Sequence, residues 1–348
     1  MARPIDYTGA KLYHKHGYTG QGVVIAIVDT GVYPHKDLQL IDGWADNGWS
    51  PTQDTHGHGT HVAGIAAGAK YGVAPGAKIM SIKISENGTS NTFTMAAALE
   101  WLIDWRKKYK ERLVVNISFS GTDSPNVKAG INKLVDLNVP VCVAAGNTGG
   151  ELSEIANYDS PIVVANLSNS SHFNATSSCR GKQTDCATVG TEVYSCCNDG
   201  SYCYKTGTSM ASPAVAGMMA LILSRWPDIT EAEAYKKLME SGVDELVKCR
   251  DGKHYIPYVS FNHVTWNVVK DDDDSMREKA KIENIRRGYK LIVRDTPNSA
   301  GKKIGNVENG NEVIALRSNG EWREIAFASA KTKANTGWIN TKYLAIEE

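Results

Sequence analysis

"GVVIAIVDT", residues 22–30, is a run of small and β-branched apolar residues that opens on glycine and closes on Asp29 and Thr30. Its apolar residues do not alternate with polar ones, so both faces of the strand it predicts must be covered. Such a strand belongs inside a parallel sheet. The aspartate at its end then stands where open α/β sheets place their ligands, outside the carboxyl ends of the strands.

The segments that follow keep this grammar. "HVAGIAAGAK" (61–70) is small and helix-compatible, and "AKIMSIKIS" (77–85) is a second apolar strand. "TFTMAAALEWLIDWRKKYK" (92–110) carries apolar residues at helical spacing and basic residues in its last turn, as a helix C-terminus favours. "RLVVNISFS" (112–120), "VPVCVAAGN" (139–147) and "PIVVANLS" (161–168) predict strands, and "NVKAGINKLVDLN" (126–138) a helix between the first two. "SMASPAVAGMMALILSRW" (209–226) predicts a long helix. "TEAEAYKKLMESG" (230–242) predicts another, capped by Thr230 and closed by Gly242. Strands alternating with helices predict an α/β fold with a mostly parallel sheet and helices on both faces.

Near residue 270 the pattern breaks. "KDDDDS" (270–275) is an acidic run without apolar content and reads as part of a linker, residues 269–283. Beyond it, "YKLIVRDTP", "KKIGNVENG", "NEVIALRSNG", "EWREIAFAS" and "TGWINTKYL" are short segments separated by Gly, Asn and Pro, the grammar of a small all-β domain. A chain of 348 residues accommodates this division into a large domain, 1–268, and a small one, 284–348.

Bulk properties exclude some function classes. The formal net charge is zero, so no global field argues for nucleic acid or an anionic membrane. No apolar run of about 18 residues is present to span a bilayer. The first residues lack the apolar core of a signal peptide, so the expectation is a protein that stays inside the cell or one that has lost a leader. Seven cysteines are present, and Cys179, Cys186, Cys196, Cys197 and Cys203 crowd one segment. An odd count leaves at least one thiol unpaired in a monomer. Disulfides, free thiols and zinc are all compatible with this cluster, although its spacing is not a paired C-x-x-C pattern.

Four polar signatures stand at or near predicted strand ends and helix starts: Asp29, Asn147 after "VCVAAG", Ser209 in "GTSMASP", and the histidines of "TQDTHGHGTHVAG" (52–64), His56, His58 and His61. Each alone has a commoner structural explanation as a cap, a turn residue or a surface histidine. Together they suit one task. A serine hydroxyl needs a base to take its proton, and the base needs a carboxylate to set its tautomer. The oxyanion that forms needs donors, which a helix N-terminus and an asparagine amide supply. On these grounds the three histidines compete as the base.

The motifs "AIVDTGV", "HGTHVAGI" and "GTSMASPAVAG", in that order, closely resemble the active-site motifs of the subtilisin-like serine proteases, the subtilases. "GVAPGAKI" and "VAAGN" fit as well, and the resemblance runs from about residue 17 to 242. It implies a serine endopeptidase in which Asp29 orients the base, His58 is the base, Ser209 is the nucleophile and Asn147 is the oxyanion amide. His56 and His61 are then bystanders. Asp, His, Ser is also the chain order of subtilisin. The resemblance further implies that a peptide substrate pairs as a strand with "SFSG" (Ser118, Phe119, Ser120, Gly121) and with "ENGTS" (86–90), which contains Gly88. Ala144 and Gly146 are expected beside Ser118 and Asn147 at the first pocket. Glu151 and Glu154 depart from the family's usual pocket floor and, if turned inward, favour a basic residue.

Two further departures bear on cofactors and activation. "HVAGIAAGAKYGVAP" runs almost directly from helix to strand, so the insert that carries the family's strong calcium loop is missing. Asp37 matches a frequent ligand position, but calcium wants six to eight oxygens. The expectation is no required cofactor, no metal-site residues, and at most weak calcium binding. No propeptide is legible ahead of Asp29. The tail, about 284–345, resembles a bacterial Src-homology-3 domain, which implies binding to peptidoglycan or a peptide partner.

Overall fold

The structure is a computed structural model that describes residues 2–121, 123–168, 176–248, 255–263, 278–282, 291–294, 303–307, 311–319, 322–329 and 332–346. The chain divides into two units, residues 1–264 and 265–348.

In chain order the first unit contains helices α1 (Pro4–Tyr7), α2 (Lys11–Lys15), α3 (His58–Ala67), α4 (Thr92–Lys108), α5 (Pro125–Asp136), α6 (Thr208–Arg225) and α7 (Glu231–Glu240). Its strands are β1 (Val23–Asp29), β2 (Leu40–Ala45), β3 (Lys78–Lys83), β4 (Arg112–Ile117), β5 (Val141–Ala144), β6 (Ile162–Leu167), β7 (Cys186–Val189), β8 (Val193–Cys196), β9 (Tyr202–Lys205), β10 (Gly242–Lys248) and β11 (Tyr255–Val259). Nine of these form one sheet in the order β10-β11-β7-β6-β5-β4-β1-β3-β2, parallel throughout except for the β10–β11 pair. The mostly parallel α/β architecture is the expected one. β8 and β9 form a separate antiparallel hairpin, which lies inside the cysteine-rich segment.

β1 is the hub, and all seven of its residues are buried. Val24 pairs with Lys78 of β3 and with Leu113 of β4, so strands accumulate outward from β1 in both directions. That reversal makes the carboxyl end of β1 a topological switch point, where a crevice opens. Val24, Ala26 and Val28 face one core with Met95, Leu99 and Leu102 of α4 and Ile131 and Leu134 of α5. The alternate residues face α3 and α6, because successive side chains of a strand point to opposite faces. α6 is buried from Thr208 to Leu223, which explains why its sequence is apolar all round rather than amphipathic. α7 is capped by Thr230, whose hydroxyl and Glu233 form a reciprocal capping box. It ends where the glycine predicts: Ser241 is the C-cap, and Gly242, the residue after it, opens β10.

Disulfide chemistry is part of the outcome for the cysteines. Cys197 and Cys203 are bridged, closing the β8–β9 hairpin. Cys142, Cys179, Cys186 and Cys196 are buried free thiols, and Cys249 lies outside the described residues. No helix among the described residues is long and apolar enough to cross a membrane.

The second unit contains β12 (Glu278–Ile282), β13 (Leu291–Arg294), β14 (Lys303–Val307), β15 (Glu312–Asn319), β16 (Trp322–Ser329), β17 (Thr332–Asn340) and β18 (Leu344–Ile346). They form a seven-stranded antiparallel sheet around Ile282, Val293, Val307, Val313, Ile325 and Ile339. β12 falls within the stretch the composition marks as linker and pairs there with β15 and β18.

Candidate active site

Asp29 ends β1 with no solvent exposure. His58 is the first residue of α3, and its Nδ1 lies 2.7 Å from Asp29 Oδ1 and 3.0 Å from Oδ2. A carboxylate only accepts, so Nδ1 carries the proton and Nε2 presents a lone pair. Gly59 allows this approach: a methyl group there would stand 2.1 Å from the Gly31 carbonyl oxygen. Burial alone lowers the His58 pKa. The charge and hydrogen bond of Asp29, with a contribution from Asp54, outweigh burial and the opposing charge of Lys205, and the net shift is upward.

Asp54 is the residue that sequence reasoning missed. It is buried, and its two oxygens accept from four donors: the Thr30 hydroxyl (2.8 Å) and Gly57 N–H (2.8 Å) on Oδ1, and Thr60 N–H (2.9 Å) and hydroxyl (2.6 Å) on Oδ2. The Thr30 hydroxyl in turn accepts from Gly59 N–H at 3.0 Å. Asp54 therefore satisfies the free amides at the start of α3 and ties them to the residue after Asp29. Its only sequence signal is an acidic residue four positions before the motif histidine.

Ser209 is the second residue of α6, after Thr208, so it is not the helix cap. Its hydroxyl donates to the Ser118 carbonyl at 3.3 Å, and no hydrogen bond joins it to His58 in this structure. Catalytic hydrogen bonds are often long before substrate arrives. The helix contains Pro213, which has no N–H to give the carbonyl four residues earlier, that of Ser209. The Ser118 hydroxyl donates to that carbonyl instead, at 3.2 Å, and itself accepts from Asn116 Nδ2 at 2.9 Å.

Asn147 follows β5. Its Oδ1 accepts from Thr208 N–H at 2.9 Å and from the Thr208 hydroxyl at 3.2 Å. An amide N–H can only donate, so the oxygen is the end that faces Thr208 and the NH₂ end is left for a ligand. Gly146 donates its N–H to the same hydroxyl at 3.2 Å and has a φ of 110°, a conformation that favours glycine. Cys179 packs beneath it, and its sulfur accepts from Thr148 N–H at 3.3 Å.

The histidines separate. His61 is fully buried and points its Nε2 at the carbonyls of Val193 and Cys203, each 3.1 Å away, while His56 is exposed with its ring 6.1 Å from that of His58.

The predicted substrate segments border one pocket of about 400 Å³, lined by Ser90, Asn91 and Thr92 on one side and by Phe119, Ser120 and Gly121 on another. Phe119 packs edge-on against His58 at 6.3 Å. Gly88, with φ 88°, is fixed by its N–H to Ser85 Oγ at 2.9 Å and lies against His56. Ala144 is buried within β5 rather than lining this pocket. Among the described residues Glu154 is the one charged residue that lines it, and one of its oxygens accepts from the Asp123 amide. Glu151 borders a different pocket beside Arg180 and Lys182. Asp37 Oδ2 accepts from the Tyr202 hydroxyl at 2.8 Å and from Lys70 N–H at 3.2 Å.

A carboxylate, an imidazole, a serine at a helix N-terminus and a free amide, held at the switch point of a parallel sheet, define a serine-hydrolase type of site. The comparisons place it more narrowly. The subtilase family pattern (Peptidase_S8) matches residues 20–260, and the chain belongs to that family. It is 35% identical over 249 residues to Subtilisin E of Bacillus subtilis (strain 168), an alignment covering 67% of this chain and 64% of that one. It is 31% identical over 303 residues to the minor extracellular protease Epr of the same organism, covering 83% and 46%. Among solved structures, a cold-adapted subtilisin-like serine proteinase superposes with a TM-score of 0.65 at 26% identity, covering 70% of this chain and 90% of the other. The chain thus spans about two thirds of the length of Subtilisin E.

Proposed function

We propose that the chain is a serine endopeptidase. The observation that carries this reading is the Asp29–His58 pair at the end of β1, together with Ser209 on the first turn of α6, whose hydroxyl donates to the Ser118 carbonyl next to Phe119, the ring that packs on His58. His58 Nε2 takes the proton of Ser209 as Oγ attacks a peptide carbonyl. The negative charge that develops on the carbonyl oxygen meets Asn147 Nδ2 and the amide donors at the N-terminus of α6. His58 then returns the proton to the leaving amine, leaving an acyl group on Ser209. Water, activated by the same imidazole, hydrolyses that ester.

The substrate lies extended between residues 86–90 and 118–121, using backbone pairing for affinity. Ser118, Phe119, Ser120, Gly88 and Gly146 form its bed, and Ala144 supports it from within β5. A substrate side chain enters the pocket bordered by both segments, where Glu154 favours a basic group.

The test is labelling by a fluorophosphonate, read as adduct mass on the intact chain and on Ser209→Ala. Labelling at Ser209 that vanishes in the variant supports the reading. A folded chain that does not label overturns it, and points instead to a silent peptide-binding relative.

The second unit, read as a bacterial Src-homology-3-like barrel over residues 284–348, serves as an accessory domain for cell wall or peptide. Its support is the likeness of its strand motifs and the antiparallel sheet they form. Sedimentation of the full-length Ser209→Ala chain with peptidoglycan tests this, and a chain that stays in the supernatant at low salt counts against wall binding.

A further inference from the structure

We propose that His35, Asp37 and Cys196 form a site for one divalent cation of the zinc class, apart from the catalytic residues. One donor atom from each lies within 4.8 Å of the others. His35 and Cys196 are each only 2% exposed, so a polar imidazole and a free thiol are held together in the interior.

The surroundings prepare each donor. His35 Nε2 faces the Ser201 carbonyl at 3.2 Å; a carbonyl only accepts, so Nε2 carries the proton and the lone pair sits on Nδ1. Metal-bound imidazoles are oriented in this way, through the nitrogen that does not bind. Nδ1 accepts from Asp37 N–H at 3.2 Å, a single hydrogen bond that an ion on this nitrogen would replace. Asp37 Oδ2 is held by Tyr202 and Lys70, while Oδ1 has no hydrogen bond. Cys196 is left out of the neighbouring Cys197–Cys203 bridge. The rings of Tyr71, Tyr194 and Tyr202 pack on one another, and Tyr202 stands edge-on to His35 at 5.1 Å.

The donor set decides the ion. One nitrogen, one carboxylate oxygen and one sulfur suit zinc at four-coordination with water in the last position. Calcium needs six to eight oxygens and is poorly served here. On binding, the S–H bond breaks, a metal–sulfur bond forms and the proton goes to solvent. The ion would join the segment after Asp29 to the β8–β9 hairpin, whose Ser195 donates to the His61 carbonyl of α3 at 2.7 Å.

The test uses the full-length Ser209→Ala chain, which cannot digest itself. Co(II) is added without reductant and the spectrum is read for tetrahedral ligand-field bands and a thiolate-to-cobalt charge-transfer band, then Zn(II) is titrated to displace it. One equivalent is expected to bind. Cys196→Ser should abolish the charge-transfer band, and His35→Gln should weaken Zn(II) binding at least about a hundredfold. Circular dichroism of each variant confirms the fold. A chain that takes up no stoichiometric Co(II) or Zn(II) overturns the proposal, as does a charge-transfer band that survives in Cys196→Ser.

Discussion

The Ser118 hydroxyl donates to the Ser209 carbonyl at 3.2 Å, the bond that α6 cannot make for itself because Pro213 has no N–H. The nucleophile's backbone is thus held by the segment that the substrate strand is proposed to pair with. Ser118→Ala leaves a buried carbonyl without a donor, a loss of about 1–3 kcal/mol. Pro213→Ala restores the helical N–H. Melting temperatures in the Ser209→Ala background should fall for Ser118→Ala and recover in part for the double variant. Additive losses would show that the two residues do not share this carbonyl.

Asn147 and Thr208 make a second such pair. Replacing Asn147 by Leu removes the free amide while keeping the side chain's bulk. The expected result is a fall in kcat of about a hundred- to a thousandfold with KM little changed, the range seen when subtilisin loses its oxyanion amide. Thr208→Val removes one of two anchors on Asn147 and leaves the backbone one, so its effect should stay within about tenfold. A raised KM with kcat unchanged for Asn147→Leu would assign it to ground-state binding instead.

The parallel sheet was legible because its central buried strands are continuous apolar runs separated by longer helix-compatible segments, amphipathic in α5 and apolar all round in α6. Asp29 and Ser209 were legible because they interrupt apolar stretches at strand and helix ends. Asp54 was not: in "TQDTHGHG" it reads as one more loop residue, and only the fold brings Thr30 within reach of its carboxylate. β7 and β8 have four residues each, too few for a period to declare itself. The Cys197–Cys203 pairing was equally hidden, since spacing among seven cysteines does not select partners.

Glu154 supplies a test of selectivity. Among the described residues it is the sole charge lining a pocket that also holds Met95, Phe119, Val127 and Ile155. A substrate library should show a preference for Lys or Arg at one position. Glu154→Gln should reduce it, and Glu154→Lys should invert it towards acidic residues. Exposed charge pairs contribute up to about 1 kcal/mol, so the change in kcat/KM should be within roughly tenfold and shrink as salt rises. Identical profiles for all three proteins would make Glu154 only a support for the Asp123 amide.

His61 makes stability depend on pH in a direction the geometry dictates. Nε2 donates to the carbonyls of Val193 and Cys203, and Nδ1 is buried without a partner. A second proton on this ring would have no acceptor. Burial is the chief cause of a pKa lowered to about 3, and the charges of Lys205 and His58 add to it. In the unfolded chain the ring titrates near the ordinary value, about 6.5. Between these values the unfolded state binds a proton that the folded state refuses. The folded state is therefore stabilised above about pH 6.5 and loses that stability as pH falls, by up to about 1.4 kcal/mol per unit. His61→Gln keeps a donor for the two carbonyls and removes the titration. Denaturant unfolding of the Ser209→Ala chain from pH 7 to 4 should show a steep loss of stability, and the added His61→Gln should flatten it. Parallel curves would mean that His61 takes up its proton within the fold.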